Sequence, residues 1–409
     1  MRIRTVHTGQ RSETIHRANL SAILRVLHEH GPLSRSELVA ATGLTRSAIR
    51  DLVHELAAAG FVSEGDAVRL GTPGRPSPLV RPEPAGAVVL AFEVLVGSMA
   101  AAFVGLGGRT LDRIRVEGPL DDVSVDDVVD RLVRLAGDLR VPAMGPIVGV
   151  GVAVAGVVRR SDGLVFMAPN LGWVDVPFGA RLARALGLDL PITVLNDADA
   201  GMLAEHRRGA AVDVDDALYI SGEVGVGGGA IVGGQPLTGS AGLAGEIGHM
   251  TVNPDGVACR CGARGCWETE IGRDVILRRA GAPAHAGTAG VEAVIAQAAA
   301  GEPEALAALT EVGRWLGIGL GALVNILNPR MIVLGGVHAR MYPVIREVVD
   351  AEVGRRSLSA PRAEVRIVPA VLGLDAPLVG ASESAFESLL ADPAAWLATM
   401  SNTQRSMSA

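Results

Sequence analysis

The chain of 409 residues contains no lysine, only three cysteines and 3% aromatic residues. Cys259, Cys261 and Cys266 lie within one short segment, so they cannot form a disulfide framework spread over the fold. The N-terminus lacks the apolar segment of a secretory signal peptide. The longest apolar stretch, residues 85–107, is interrupted by Glu93 and by glycines, and it predicts paired buried strands rather than a membrane span. We therefore expect a cytoplasmic protein with no membrane partner.

Charge is low and unevenly distributed along the chain. Charged residues make up 20% of the sequence and the formal net charge is −7, which argues against a protein that binds polyanions over its whole surface. Residues 1–80 nevertheless carry 10 arginines against 7 acidic residues. Hydrophobic residues reach 49%, which excludes global disorder, and the length exceeds one ordinary domain. A short basic unit on an acidic body suggests nucleic-acid contact at one end only.

Three helical patterns follow one another near the N-terminus. Apolar residues recur at helical spacing from Leu20 to Leu27. Ser34 and Glu37 form a capping box that begins a second, short helix, and Thr45 can cap a third. Two helices joined by a short turn, the second with an apolar inner face, predict a helix-turn-helix.

A wing and a linker are expected after the third helix. Residues 61–63 and 67–70 predict the two strands of a hairpin, and the proline-rich residues 73–84 predict a stiff linker. A recognition helix reads base edges from its N-terminal turns, and an arginine between Gly74 and Pro76 can enter a narrow minor groove. A protein-interaction domain with surface arginines is the alternative. For Arg75, the alternative is an ordinary place in the linker. The candidate DNA contacts are Thr45, Arg46, Ser47, Arg50 and Arg75.

From about residue 86 apolar runs alternate with helical patterns. This alternation predicts an α/β body with covered sheets, large enough for two lobes. We therefore expect a winged helix-turn-helix domain (α+β) with its linker at residues 1–82 and a two-lobed α/β domain at residues 83–390. The pattern is lost in residues 391–409, which predicts a disordered tail.

One histidine and the three cysteines have the spacing of a metal site. His249 lies ten residues before Cys259, and Cys261 and Cys266 follow closely. Three thiolates and one imidazole satisfy the tetrahedral coordination of Zn²⁺, and the intervening glycines let a short loop surround the ion. Four protein ligands leave no open position, so we expect structural zinc. A metal-free thiol loop, with His249 in the core, is the alternative.

Two segments resemble the signature of the ROK family (repressors, open reading frames, sugar kinases). They read GLAGEIGHM at residues 242–250 and CRCGARGCWE at residues 259–268. The resemblance covers roughly residues 86–385 and implies an actin/hexokinase-like body, with a sugar between two lobes and a zinc loop at residues 249–268. Further similar segments are PNLGW at 169–173, NDADA at 196–200, GVGGG at 225–229, NP at 328–329 and GG at 335–336.

The resemblance, together with the N-terminal winged helix, implies a transcriptional repressor. Its expected partners are a double-stranded DNA operator, a sugar or sugar phosphate effector, and further copies of the chain in a homodimer or homotetramer. Carboxylates and carboxamides would supply fixed acceptors and donors for sugar hydroxyls, and the histidine would offer one ring nitrogen to zinc and the other to the sugar. For Asn196 and Asp197, the alternative is the N-cap of a helix. The sugar contacts implied by the resemblance are Asn170, Asn196, Asp197, Glu246, His249 and Glu268.

Two departures from the family pattern argue against phosphoryl transfer. Kinases of the family hold ATP phosphates in two glycine-rich hairpins, and an aspartate at the place of Asp197 acts as the base. Here residues 93–97 read EVLVG where the family has Asp-x-Gly-Gly-Thr, and residues 222–225 read GEVG where it has Gly-Thr-Gly. We expect a catalytically inactive body. The alternatives are an active ATP-dependent sugar kinase, with Asp197 catalytic, and a protein-interaction module without DNA binding.

Overall fold

A computed structural model of the chain describes residues 12–68, 77–120, 123–141 and 143–399. The N-terminal unit is a winged helix with a three-stranded sheet of order β1-β3-β2. The predicted capping box of Ser34 and Glu37 begins α2, and Thr45 caps α3. The elements of this unit are α1 (Ser12–His30), β1 (Leu33–Ser34), α2 (Arg35–Thr42), α3 (Arg46–Ala58), β2 (Val62–Val68) and β3 (Ser77–Pro82).

The wing differs from the sequence prediction. β2 is one continuous strand, so residues 64–66 lie within it and do not form the predicted turn. Its antiparallel partner is β3, which occupies residues expected to be linker. Val80 anchors β3 in the core of the winged helix, and Pro78 and Pro82 stand near the strand ends, where a missing N–H is tolerated. Arg75 lies outside the described residues.

The first lobe is built on a five-stranded sheet of order β11-β7-β4-β5-β6, with a small sheet of order β10-β9-β8 at one side. β4 pairs in parallel with β7 and antiparallel with β5, and both of its faces are covered, which explains its continuous apolar sequence. The elements are β4 (Val88–Leu95), β5 (Ser98–Gly105), β6 (Arg109–Glu117), α4 (Val125–Asp138), β7 (Ile147–Val154), β8 (Val157–Arg159), β9 (Leu164–Ala168), β10 (Trp173–Val176), α5 (Phe178–Leu186) and β11 (Ile192–Asn196).

The second lobe has a five-stranded sheet of order β14-β13-β12-β15-β16, covered by helices. The last long helix, α13, returns to pack on β4 and β7 of the first lobe and on α6. The elements are α6 (Asp197–Arg208), β12 (Ala217–Gly222), β13 (Val226–Val232), β14 (Gln235–Pro236), α7 (Glu268–Ile271), α8 (Arg273–Arg279), α9 (Gly287–Ala299), α10 (Pro303–Leu327), β15 (Met331–Gly335), α11 (Gly336–Arg356), α12 (Ser359–Glu364), β16 (Arg366–Pro369) and α13 (Ala376–Ala391).

Helix α10 is long and apolar enough to cross a membrane by length and composition, and it is the one such helix in the described part of the chain. It packs between α9 and α11, and 61% of its apolar window is buried in the second lobe. This burial is that of a core helix.

The expected tail is partly ordered. Residues 393–399 are helical, and Trp396 and Leu397 pack against the apolar cluster that joins the winged helix to α13. The prediction of disorder from residue 391 is therefore wrong for this segment, because its apolar side chains have a surface to cover. Residues 400–409 lie outside the described part.

The winged helix packs directly on the body, and the segment that connects them is tightly packed. The residues that follow β3 turn tightly: the N–H of Glu83 donates to the carbonyl of Phe61, and that of Gly86 donates to the carbonyl of Glu83. A Cβ atom at Gly86 would stand 2.0 Å from the carbonyl oxygen of Gly60. Nearby, α1 packs on α13, where the rings of His28 and Phe386 are 4.6 Å apart. The stiff proline-rich linker predicted from the sequence is thus replaced by a packed interface.

Candidate functional site

The predicted metal ligands come together at the surface of the second lobe. One ligand atom from each of His249, Cys259, Cys261 and Cys266 lies within 4.8 Å of the others. The Sγ atoms of Cys261 and Cys266 are 3.7 Å apart, and Sγ of Cys259 is 3.8 Å from Nδ1 of His249. A tetrahedral zinc with Zn–S bonds of about 2.3 Å separates its sulfur ligands by about 3.8 Å. The four residues therefore fit zinc in type, number and spacing.

Glycine and tryptophan fix the loop that carries these ligands. Gly265 has φ +71°, and a Cβ atom there would stand 1.6 Å from the carbonyl oxygen of Asn253, so the loop closes only with glycine at this position. Trp267 is fully buried and its indole N–H donates to the carbonyl of Trp315 in α10. The metal loop is thus tied to the core of the second lobe.

His249 and Glu268 are oriented by the metal ligands. Nδ1 of His249 faces Cys259, so the opposite ring nitrogen, Nε2, remains for another partner. Oε1 of Glu268 accepts a hydrogen bond from Sγ of Cys259 at 2.9 Å and lies 3.7 Å from Nδ1 of His249. Burial raises the pKa of the neighbouring Glu246, against the opposing charge of His249. These three predicted sugar contacts therefore lie together beside the metal ligands.

Asn196 and Asp197 begin α6 on the opposite side of the cleft. Oδ1 of Asn196 accepts hydrogen bonds from the backbone N–H groups of Ala198 and Asp199, so Asn196 is an N-cap, the alternative considered for it. Its Nδ2 donates to the carbonyl of Gly156, which leaves one amide hydrogen for a ligand.

The pKa of Asp197 is raised to about 7. Burial is the main cause; backbone hydrogen bonds oppose it, and the carboxylates of Glu93 and Glu223 add to it. Asp197 therefore lies near both segments in which the family's kinases hold phosphates, one containing Glu93 and the other Glu223.

Both of those segments contain a buried carboxylate. Glu93 has no exposed surface and forms an ion pair with Arg115, which also contacts Asp375. Burial raises the pKa of Glu93 to about 7, although Arg115 opposes the shift. In the second segment Oε1 of Glu223 stands 2.7 Å from the position that a Cβ atom would take at Gly336. Side chains thus fill space on both sides of Asp197.

The remaining predicted sugar contact, Asn170, lies in the turn between β9 and β10. Its Oδ1 accepts a hydrogen bond from Arg260, which stands between two metal ligands. Arg160, in the turn after β8, lies 3.4 Å from Asp199 of α6. Sequence analysis missed Arg160, Asp199 and Arg260. The sequence offered two signals for them. Arg260 stands between two cysteines, and Asp199 follows Asp197 by two residues.

The predicted recognition helix is α3, and its outer face is free. Thr45, Arg46, Ser47 and Arg50 are all exposed. Thr45 accepts a hydrogen bond from the N–H of Ala48 as the helix cap, and Arg50 pairs with Asp51 on the surface. The structure thus places the four described DNA-contact candidates on one exposed helix end, as a major-groove reader requires.

Known proteins match this chain over nearly its whole length. Residues 93–387 match the ROK family, and residues 21–68 match the MarR family. The chain is 28% identical over 378 residues to a protein named Xylose repressor from Bacillus subtilis (strain 168), covering 92% of this chain and 97% of that protein. A solved ROK family transcriptional regulator, described as a homolog of the Escherichia coli Mlc protein, has a TM-score of 0.73 at 26% identity, with 92% and 98% covered.

A kinase is also similar to the body. A ROK family glucokinase from Streptomyces griseus, solved with glucose and AMPPNP, has a TM-score of 0.64 at 29% identity, covering 73% of this chain and 99% of that one. The kinase match covers 73% of this chain, whereas the regulator match covers 92%. The fold, the metal-ligand segment and these similarities lead to one conclusion: the chain belongs to the ROK family.

Proposed function

We propose that this chain is a sugar-responsive, DNA-binding transcriptional repressor whose kinase-like body binds its effector without phosphorylating it. The observation that carries the proposal is the course of α6. This helix begins at Asp197 in the cleft, and at its other end Arg207 pairs with Glu29 of α1 while Arg208 donates to the carbonyl of His28. A single helix of about 18 Å therefore joins the cleft to the winged helix.

The DNA-binding function rests on the N-terminal unit. The exposed end of α3 presents Arg46, Ser47 and Arg50, and arginine is suited to bidentate contacts with guanine. The MarR match and the relatives named as repressors support the same function. Arg75 is assigned to an adjacent minor groove. Two recognition helices must reach half-sites about 34–36 Å apart, so the active form is a homodimer or a homotetramer.

The effector is a sugar bound in the cleft by the side chains of Asn170, Asn196, Asp197, Glu246, His249 and Glu268. Support comes from the proximity of Glu246, His249 and Glu268 to one another and from a relative named Xylose repressor. Zinc, when bound, holds the loop of His249 in place by four ligands and leaves no open position for chemistry. The ring of His249 is then oriented so that Nε2–H can donate to a sugar oxygen.

Phosphoryl transfer is disfavoured by the two segments beside Asp197. A carboxylate at Glu223 repels a triphosphate, and Gly222 and Gly336 are packed against His338 and Glu223 rather than open to a ligand. Arg115 neutralises Glu93 and so does not lie free to bind phosphate. The raised pKa of Asp197 would suit a general base, which keeps a sugar kinase as the second candidate.

Sugar binding is expected to release DNA. Helix α1 packs on α13, which packs on the first lobe, and it is joined by Arg207 and Arg208 to α6, which packs on the sheet of the second lobe. Closure of the lobes around a sugar therefore acts on the support of the winged helix and changes the half-site spacing of a dimer. If sugar weakens operator binding tenfold, the operator weakens sugar binding tenfold, about 1.4 kcal/mol in each case.

The test uses the full chain. Duplexes selected from a random library would be titrated with protein by fluorescence anisotropy at several salt concentrations, with and without D-xylose, D-glucose and their phosphates. We expect specific, salt-dependent binding that at least one sugar weakens. Glu246→Ala should retain DNA affinity and lose the response. DNA affinity that no sugar changes, in protein that demonstrably binds sugar, would refute the switch.

A further inference from the structure

One buried hydrogen-bond donor in the cleft has no partner. Nε–H of Arg160 is buried and donates to no acceptor among the described residues, although Nη2 of the same guanidinium lies 3.4 Å from a carboxylate oxygen of Asp199. A buried donor without an acceptor costs about 1–3 kcal/mol. Such atoms in folded proteins call for an explanation, and a missing ligand oxygen is one.

The surroundings of Arg160 are those of the effector site. The residue lies in the turn between β8 and β9, and a Cβ atom at Gly242 would stand 3.4 Å from its backbone nitrogen. Gly242 begins the loop that carries Glu246 and His249. Its partner Asp199 lies in the first turn of α6; burial raises the pKa of Asp199 to about 6, Arg160 opposes the shift, and the nearby charge of Glu246 adds to it. Arg160 therefore lies where β8–β9, α6 and the effector loop meet.

The charge balance at this point limits which group can approach. The guanidinium pairs with the carboxylate of Asp199, and the charge of Glu246 also reaches Asp199. A phosphate entering here would face these carboxylates and would have to displace Asp199 from Arg160. An uncharged sugar hydroxyl can instead accept from Nε–H without breaking the pair.

Resting on the proposed function, we propose that Arg160 is a further effector-binding residue, which donates Nε–H to a hydroxyl oxygen of an uncharged sugar, and that its pairing with Asp199 excludes phosphorylated sugars. Asp199 acts through Arg160: it sets the orientation and the net charge of the guanidinium. The site thus selects for sugar hydroxyls and against a phosphate group.

Two variants and a matched control test this assignment by calorimetry with D-xylose, D-glucose and glucose 6-phosphate. Arg160→Gln should raise the Kd for the best uncharged sugar about tenfold, or about 1.4 kcal/mol. Arg159→Gln is the control, because the adjacent Arg159 points to the surface and pairs with Asp162; it should bind as the unmodified chain does. DNA affinity without sugar should be the same in all of them.

Asp199→Asn keeps the shape of the pair and removes its negative charge. It should raise the affinity for glucose 6-phosphate about tenfold while leaving or lowering that for the uncharged sugar, a gain that a merely structural role would not produce. Unchanged sugar affinity in Arg160→Gln, or tighter binding of the phosphate by the unmodified chain, would overturn the assignment. If the unmodified chain binds no sugar at all, the proposed function itself is refuted.

Discussion

A buried ion pair at the interface between winged helix and body should control how firmly the two are held together. Glu383 of α13 is nearly inaccessible, and its carboxylate accepts from Nε of Arg208 at 2.8 Å and from Nε2 of His28 at 3.1 Å. On the other side of the ring, Nδ1 of His28 accepts a hydrogen bond from the backbone N–H of Gly107, so both ring nitrogens have partners. One carboxylate thus joins α13, α6 and α1.

The magnitude follows from the pKa of Glu383. Burial alone would raise it, but the charge and hydrogen bond of His28, followed by those of Arg208, outweigh burial and hold the pKa at about 2. Against an ordinary glutamate pKa, this difference corresponds to about 3 kcal/mol of folding free energy at pH 7. Glu383→Gln, which removes the charge and keeps the shape, should therefore destabilise the protein by about 3 kcal/mol.

The sign of the pH dependence is fixed by the same values. The folded-state pKa lies below the unfolded one, so the stabilisation is complete above about pH 5 and is lost as the pH falls towards 2. The difference between the unmodified chain and Glu383→Gln should shrink by about 1 kcal/mol between pH 7 and pH 4. Protonation of Glu383 and its replacement by glutamine have the same effect, which is why the two curves converge.

The assay is urea unfolding followed by circular dichroism at pH 7 and pH 4, with hydrogen exchange to locate the weakened region in α1. The matched control is Glu387→Gln, one turn along α13, whose exposed carboxylate pairs with Arg25 of α1. Such a surface pair contributes about 0–1 kcal/mol. Equal destabilisation by both variants, or a Glu383→Gln effect that does not change with pH, would refute the reasoning.

Three further predictions concern the metal, the DNA contacts and the chemistry. Purified protein should contain about one zinc per chain by metal analysis, and Cys261→Ser should lose it; substoichiometric zinc in protein never exposed to chelator would contradict this. Arg46→Ala and Arg50→Ala should each cost about 1–3 kcal/mol of specific binding if bidentate to guanine, measured against scrambled DNA. A coupled ATP assay should detect no hexose phosphorylation; turnover abolished by Asp197→Asn would restore the kinase hypothesis.

Local signals in the sequence predicted local structure well. The capping box of Ser34 and Glu37 and the N-cap at Thr45 form as expected, because a cap depends on residues three apart. The metal ligands also lie together, since their loop is short and closed by glycines. β7 and α10 form where the sequence has long apolar patterns, because such patterns leave few alternatives.

Features that depend on distant partners could not be predicted in the same way. β3 contains two prolines and was read as linker, yet its place between β1 and β2 is decided by strands on both sides and by Val80 in the core. Trp396 gained order only because an apolar surface on the winged helix and α13 is available to it. Arg160 and Asp199 are 39 positions apart in the sequence and meet only when the two lobes are assembled.

The same long-range contacts decide how an effector can act. A linker with slack would isolate the winged helix from the cleft, whereas the tight turn at Gly86 and the carboxylate of Glu383 leave it two rigid connections to the body. Glu383 belongs to a helix packed on the first lobe, and Arg208 to one packed on the second lobe's sheet. Because α13 also packs on α6, a change in the angle between the lobes has to be accommodated at the contact between these two helices, where this buried pair lies. Because an unpaired buried charge is costly, the pair either resists closure or is rebuilt with α1 in a new position, and in both cases the cleft and the DNA-binding surface cannot move independently.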